Sequence, residues 1–247
     1  MDEKNLNCLI VSNGLISNAN LLVQILKNNY NFYDFYNEKN TSNYDTLKRS
    51  NNNYLIISTD GAVRNCLKLK LLPDIVIGDM DSIKLKDKNN LKELNKINKK
   101  INYISFSCDK NESDTQLAIE YAAKNNIKDI ILIGALGKRI DHSLANIFNI
   151  SCDKFKDLNI KIIDENFEIS VLRKSEKIIG NKGNLISIFS LTPFTYFIST
   201  KGLKYELKEE KLYFSPIRGI SNIFTEDIAE INISEGILLI IKQIIKR

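Results

Sequence analysis

The chain has little of what specialised small proteins depend on. Its four cysteines, Cys8, Cys66, Cys108 and Cys152, stand far apart with no C-x-x-C pair, which argues against a zinc site and a disulfide framework and fits a reducing cytoplasm. His142 is the only histidine. The opening MDEKNLNC lacks a basic and apolar signal region, and no apolar run approaches membrane-spanning length. Even the run from Gly236 to Ile245 is interrupted by Lys242 and Gln243. Net charge is only +5, with Lys and Asn scattered among Ile, so no basic patch points to nucleic acid. No internal repeat is visible.

What is present is a globular composition: 247 residues, 43% hydrophobic and 26% charged, enough for one large or two small domains. The stretch that organises the chain is Tyr54 to Ser82. Tyr54 to Ser58 reads as a buried strand followed by Asp60-Gly61, and Ile75 to Ile77 reads as a second strand ending at Gly78-Asp79-Met80-Asp81-Ser82. Between them, Ala62 to Leu72 has helical apolar spacing and stops before Pro73. Right-handed crossover makes such strands parallel, so Asp60, Asp79 and Asp81 share the carboxyl edge where ligands bind. The i, i+2 spacing of Asp79 and Asp81 suits a hard divalent cation, and Gly78 lets a phosphate or ion approach the backbone. A solvated acidic turn is the plainer reading.

Elsewhere the pattern repeats. Cys8 to Ser12 is a predicted strand and Asn20 to Lys27 a helix. Tyr30 to Phe35 is predicted as a short aromatic strand, Asn37 to Asn53 as a polar loop with a weak helix, and Lys84 to Lys100 as a solvated helix. After a strand over Ile101 to Ser107, Ser113 is a candidate N-cap that places Asp114 in the first turn of a helix over Thr115 to Lys124. Asp114 there favours the helix dipole, or is a third metal-directed acid at the same edge; Lys110 is a candidate phosphate contact or a solvated lysine. The strand Asp129 to Ile133 runs into Gly134-Ala135-Leu136-Gly137-Lys138-Arg139-Ile140-Asp141-His142, a glycine-bearing loop opening a helix. That is a physical means of holding phosphate, with Arg139 as a bidentate donor oriented by Asp141 or His142. His142 is equally a structural histidine. After Ile160 to Asp164 short strands replace helices: Phe167 to Arg173, Asn184 to Leu191, Thr195 to Thr200, Lys211 to Phe214, Ile228 to Ile233 and Gly236 to Lys242, the pattern of an antiparallel sandwich.

Taken in order, D-G (Asp60, Gly61), P-D-x-x-x-G-D-x-D-S (Pro73 to Ser82), K-x-E-S-D (Lys110 to Asp114) and G-x-x-G-x-R-x-D-H-x-L-A-N (Gly134 to Asn146) resemble the thiamine pyrophosphokinases. The resemblance continues through Gly202 to Tyr205 and Gly219 to Asn222. Bacterial members often read K-D-x-T-D where this chain has Lys110 to Asp114, so Asn111 lacks a charge while Ser113 keeps the hydroxyl.

The resemblance implies a Rossmann-like α/β domain with a mostly parallel sheet over 1–165, which binds ATP and Mg²⁺. A thiamine-binding antiparallel β-sandwich over 166–247 follows. It implies transfer of a pyrophosphoryl group from ATP to thiamine in the cytoplasm by a homodimer with composite sites. By the same resemblance, Asp79, Asp81 and Asp114 are catalytic acids that hold metal, and Asp60 joins them by either holding thiamine's hydroxyl or lining the metal site. Lys110, Gly134, Arg139, Asp141 and His142 serve nucleotide; Ser221 and Asn222 meet thiamine, and Tyr205 and Phe224 are candidates to stack on its rings or to fill the core. Two other functions fit some of the residues. A pterin diphosphokinase of the archaeal type has similar D-G and D-x-D elements, although the C-terminal motifs argue against it. A sensor of nucleotide or thiamine derivatives has no need of the metal acids.

Overall fold

The computed structural model describes residues 6–32, 54–80, 89, 101–107 and 111–244. The expected loop over Asn37 to Asn53 and helix over Lys84 to Lys100 therefore lie outside the described residues, apart from Asn89, which is helical. The chain divides into two compact units, Met1–Asn149 with Asp157–Ile160, and Ile150–Lys156 with Lys161–Arg247.

In the first unit β1 (Asn7–Val11), β2 (Tyr54–Thr59), β3 (Ile75–Gly78), β4 (Asn102–Ser105) and β5 (Asp129–Ile133) form a parallel sheet in the order β5-β1-β2-β3-β4. Strands covered on both faces must be apolar throughout, and Cys8 to Val11 are all fully buried. The chain steps outward from β1 to β4 and then returns to the far side of β1 for β5. This reversal opens a crevice beyond the carboxyl ends of β1 and β5.

The helices follow local signals. Asn18 caps α1 (Ala19–Tyr30) by accepting the Leu21 N–H at 3.1 Å, and Leu22, Ile25 and Leu26 turn inward. Tyr30 is the last residue of α1, not the start of the expected strand. Asn31 takes the left-handed conformation (φ 52°), and Phe32 is buried edge-on to the Tyr54 ring with centroids 5.0 Å apart. The helix expected over Ala62 to Leu72 is shorter. A 3₁₀ turn over Asp60–Ala62 leads into α2 (Val63–Leu69), which ends at left-handed Lys70 (φ 57°), three residues before Pro73. Asp74 then seats β3 beside β2, its Oδ2 accepting the Ile56 N–H at 2.9 Å and its own N–H donating to Ile56 O at 2.8 Å. Ser113 caps α3 (Asp114–Lys124), as its position suggested, accepting the Gln116 N–H at 3.2 Å. α4 (Ile140–Ser151) follows the glycine loop after β5.

The second unit has antiparallel pairing throughout its described ladders. One sheet runs β12-β9-β14-β7-β6, from β6 (Asn159–Ile163), β7 (Phe167–Leu172), β9 (Leu185–Ser190), β12 (Asn222–Ile223) and β14 (Leu238–Gln243). The other runs β11-β10-β13-β8, from β8 (Glu176–Ile179), β10 (Phe194–Lys201), β11 (Lys208–Tyr213) and β13 (Ile228–Glu235). Alternate residues from both sheets, including Ile186, Ile188, Phe197, Ile231 and Ile240, form the shared core. Sequence reading missed β8 and β12, and β11 begins three residues earlier than expected. Lys242, which interrupts the final apolar run, lies 3.2 Å from buried Glu168. Among the described residues no helix is long and apolar enough to cross a membrane.

Candidate active site

A cavity of about 710 Å³ fills the crevice of the first unit. Its walls come from four chain segments: Ser12 to Leu15 after β1, Thr59 to Arg64 after β2, Asp79 after β3, and Glu112 to Thr115 at the start of α3. The loop after β5 and the face of α4, from Gly134 to Asn146, complete it. Carboxylates and cations are therefore brought to one space, with Asp60, Asp79, Glu112 and Asp114 in its lining along with Arg64, Lys138 and Arg139.

Asp60 is buried, and each of its oxygens holds a backbone N–H: Oδ1 that of Gly61 at 2.5 Å and Oδ2 that of Met80 at 3.0 Å. Burial, then the charges of Asp114 and Asp79, outweigh those hydrogen bonds and push its carboxyl up to about 6. Gly78 is glycine because a Cβ there would lie 2.4 Å from Asp60 Cγ. Met80 is left-handed (φ 65°), an unfavourable state for a side chain with a Cβ, and its N–H bond to Asp60 helps hold it. The turn after β3 is thus built against Asp60, and it delivers Asp79 to the cavity.

Repulsion among carboxylates that share a cavity suits a hard divalent cation with oxygen ligands. Among the described residues, no group of three or more His, Cys, Asp or Glu side chains is close enough to hold a metal. Asp81 and Lys110, both expected at the site, lie outside the described residues.

The two loops at the back of the cavity are stitched together. Gly14 N–H donates to Gly134 O at 2.6 Å and Leu15 N–H to Leu136 O at 2.7 Å, while Gly137 N–H reaches Ser143 Oγ at 3.0 Å. Within the glycine loop after β5, where backbone N–H groups, a helix N-terminus and Arg139 were expected to hold phosphate, the Gly137 N–H is therefore engaged by Ser143. Gly134 (φ 61°) has no space for a side chain, since a Cβ would sit 2.4 Å from Ser12 O. Asn146, buried on α4, donates to Ala135 O at 2.7 Å.

Charged donors remain at the rim. Arg139 grips Asp141 through a two-point fork, with Nε 2.9 Å from Oδ1 and Nη2 2.5 Å from Oδ2, and both side chains are exposed. That grip holds the Asp141 carboxyl well below the usual range. His142 lines the cavity from the first turn of α4. Burial pushes the Cys66 thiol up to about 12 and raises that of Cys8 as well, which keeps these two thiols protonated.

The residues expected to meet a second ligand lie in the second unit. Ser221 is exposed and left-handed (φ 58°). Asn222 is buried: its Oδ1 accepts the N–H groups of Tyr205 at 3.0 Å and Ile223 at 2.9 Å, and its Nδ2 donates to Tyr205 O at 2.8 Å. Tyr205 keeps 60% of its surface exposed, whereas Phe224 is 1% exposed, a core residue that is unable to stack on a ligand. Sequence reading missed Arg64 and the Ser12 to Leu15 wall, because neither belongs to an acidic or phosphate-type motif.

Two family models match the chain. One, described as thiamin pyrophosphokinase, catalytic domain, matches residues 47–162; the other, thiamin pyrophosphokinase, vitamin B1 binding domain, matches residues 168–238. A thiamine pyrophosphokinase of Bacillus subtilis is 23% identical over 76% of this chain and 86% of its own length. Thiamine pyrophosphokinase 2 of rice is 28% identical over 62% of this chain, and the aligned part spans only 59% of that relative. The crystal structure of the Bacillus subtilis thiamine pyrophosphokinase shares the fold, with a TM-score of 0.74 at 21% identity, over 97% of this chain and 100% of that one.

Proposed function

The chain belongs to the thiamin pyrophosphokinase family, and on that premise we propose that it transfers the pyrophosphoryl group of ATP to thiamine, giving AMP and thiamine diphosphate. The observation that carries this reading is the crevice cavity, with buried Asp60 beside Asp79 and Asp114 and the Arg139 fork at its rim. Such a site positions and neutralises a polyphosphate, which is most of what phosphoryl-type transfer needs.

In this reading the thiamine hydroxyl oxygen bonds to the β-phosphorus and gives up its proton to solvent, while the bond from that phosphorus to the α-bridging oxygen breaks, so that oxygen leaves with AMP. Asp79, Asp81 and Asp114 hold Mg²⁺, which when bound neutralises phosphate charge. Asp60 fixes the turn that carries Asp79 and orients the attacking hydroxyl. Arg139 and Lys110 hold phosphate oxygens, with Asp141 keeping the guanidinium fork in its plane. Gly134 shapes the loop beneath the nucleotide, and His142 borders it. Ser221 contacts thiamine. Asn222 acts through Tyr205, holding the backbone so that the exposed ring meets the heterocycle.

The working form is a cytoplasmic homodimer in which the first unit of one subunit faces the second unit of the other. Tyr213, Phe214, Ile217 and Ile220 leave more than half of each side chain exposed within eight residues, apolar surface suited to a second copy. Incubation with ATP, Mg²⁺ and either thiamine or hydroxymethylpterin tests the substrate. ATP consumption that depends on thiamine supports the reading, and consumption that depends only on the pterin overturns it.

A further inference from the structure

We propose that Asn65, which belongs to none of the sequence motifs, is a positioning residue that clamps the Ser12 to Gly14 loop in the geometry that receives the nucleotide phosphates. The inference rests on the nucleotide reading of the cavity. Asn65 sits on α2 and is 8% exposed. Its Nδ2 donates to Ser12 O at 2.9 Å and to Gly14 O at 3.1 Å, which consumes both hydrogens of one amide.

The loop is thereby fixed on both sides of its backbone. Its N–H groups at Gly14 and Leu15 are bound to the loop after β5, and its carbonyls at Ser12 and Gly14 are bound to Asn65. Ser12 passes the constraint onward, because its Oγ lies 2.9 Å from Thr115 Oγ1, the residue after Asp114 in the first turn of α3. Gly134 closes the remaining space: a Cβ there would stand 2.4 Å from Ser12 O and 3.3 Å from Asn65 Nδ2. One side chain from α2 therefore sets the loops after β1 and β5 and the start of α3, three walls of the cavity.

The effect on function has a sign. Without the amide, two carbonyl dipoles lose their donors beside a cavity that accepts an anion, and a carbonyl oxygen turned toward phosphate repels it. Asn65→Ala should weaken ATP binding by roughly tenfold, the scale set by leaving buried acceptors unsatisfied, while thiamine binding is unchanged. Asn65→Asp is nearly isosteric but presents acceptors where donors are needed. Its loss should be larger near neutral pH and should shrink, relative to wild type at each pH, as the acid is protonated.

Calorimetric titration of the wild type with ATP and Mg²⁺ comes first, and failure to bind there overturns the nucleotide reading itself. Once that binding is established, an unchanged ATP affinity in Asn65→Ala overturns the clamp alone. So does an equal loss for ATP and thiamine accompanied by a matching fall in Tm. If Asn65→Ala does not fold, Asn65→Asp carries the test: an ATP affinity, relative to wild type, that does not recover at lower pH is the overturning result.

Discussion

The carboxylate of Asp60 holds the backbone N–H of Met80 at 3.0 Å, across the strand boundary between β2 and β3. One buried acid thus shapes the turn after the next strand, and its own ionisation is made costly by burial and by Asp114 and Asp79.

A pH dependence follows. The Asp60 carboxyl is raised from 3.8 to about 6 in the folded protein, so the fold binds this proton more tightly than the unfolded chain does. Its contribution to stability is fully present below the unfolded value and is lost as pH rises through about 6. The Tm of the wild type relative to Asp60→Asn should therefore fall between those two values. A difference that stays constant, or that grows with rising pH, contradicts the assignment.

Arg139→Ala should reduce ATP affinity and leave Tm and thiamine affinity unchanged. The Arg139–Asp141 fork is exposed on both sides and adds little to stability. Separate titrations with each ligand decide it, and a Tm loss of the size seen for a core substitution would make Arg139 a loop fastener.

The aromatic pair of the second unit should separate cleanly. Phe224→Ala should cost about 3–5 kcal/mol in a denaturant titration, as for a large core ring. Its ring fills the space over Gly180, where an added Cβ would stand 2.5 Å from it. Tyr205→Ala should leave stability near wild type and weaken thiamine binding. The opposite pattern would return Phe224 to the ligand and Tyr205 to the fold.

Mixing two crippled chains tests the composite dimer. Asp79→Asn subunits and subunits altered at both Ser221 and Asn222 should each be inactive alone and regain activity as hybrids, since one site then unites two intact parts. Verified subunit exchange without recovery contradicts the arrangement.

Most of the parallel sheet was legible because buried strands write themselves as short β-branched runs, as in Leu55 to Ile57 or Ile130 to Ile133. Asp60, Asp79 and Asp114 were legible at strand and helix ends for the same reason. The helix after β2 was overestimated because Lys70, left-handed with φ 57°, carries no glycine to announce the stop. β12 was missed because two residues are too few for a period to show, and β8 because only Ile178 and Ile179 of its four residues are apolar. Asn65 and Asn222 were obscure or misread for a different reason. Their work is to satisfy backbone groups 51 to 53 and 17 residues away, which only the fold brings within reach.

The most direct measurement of the central claim follows ATP labelled at its β-phosphorus through a reaction with thiamine and Mg²⁺. The account predicts that the label appears in thiamine diphosphate, in equal amount to unlabelled AMP, and that Asp79→Asn folds normally yet forms neither product. Formation of ADP with thiamine monophosphate, or of thiamine diphosphate without AMP, would contradict it.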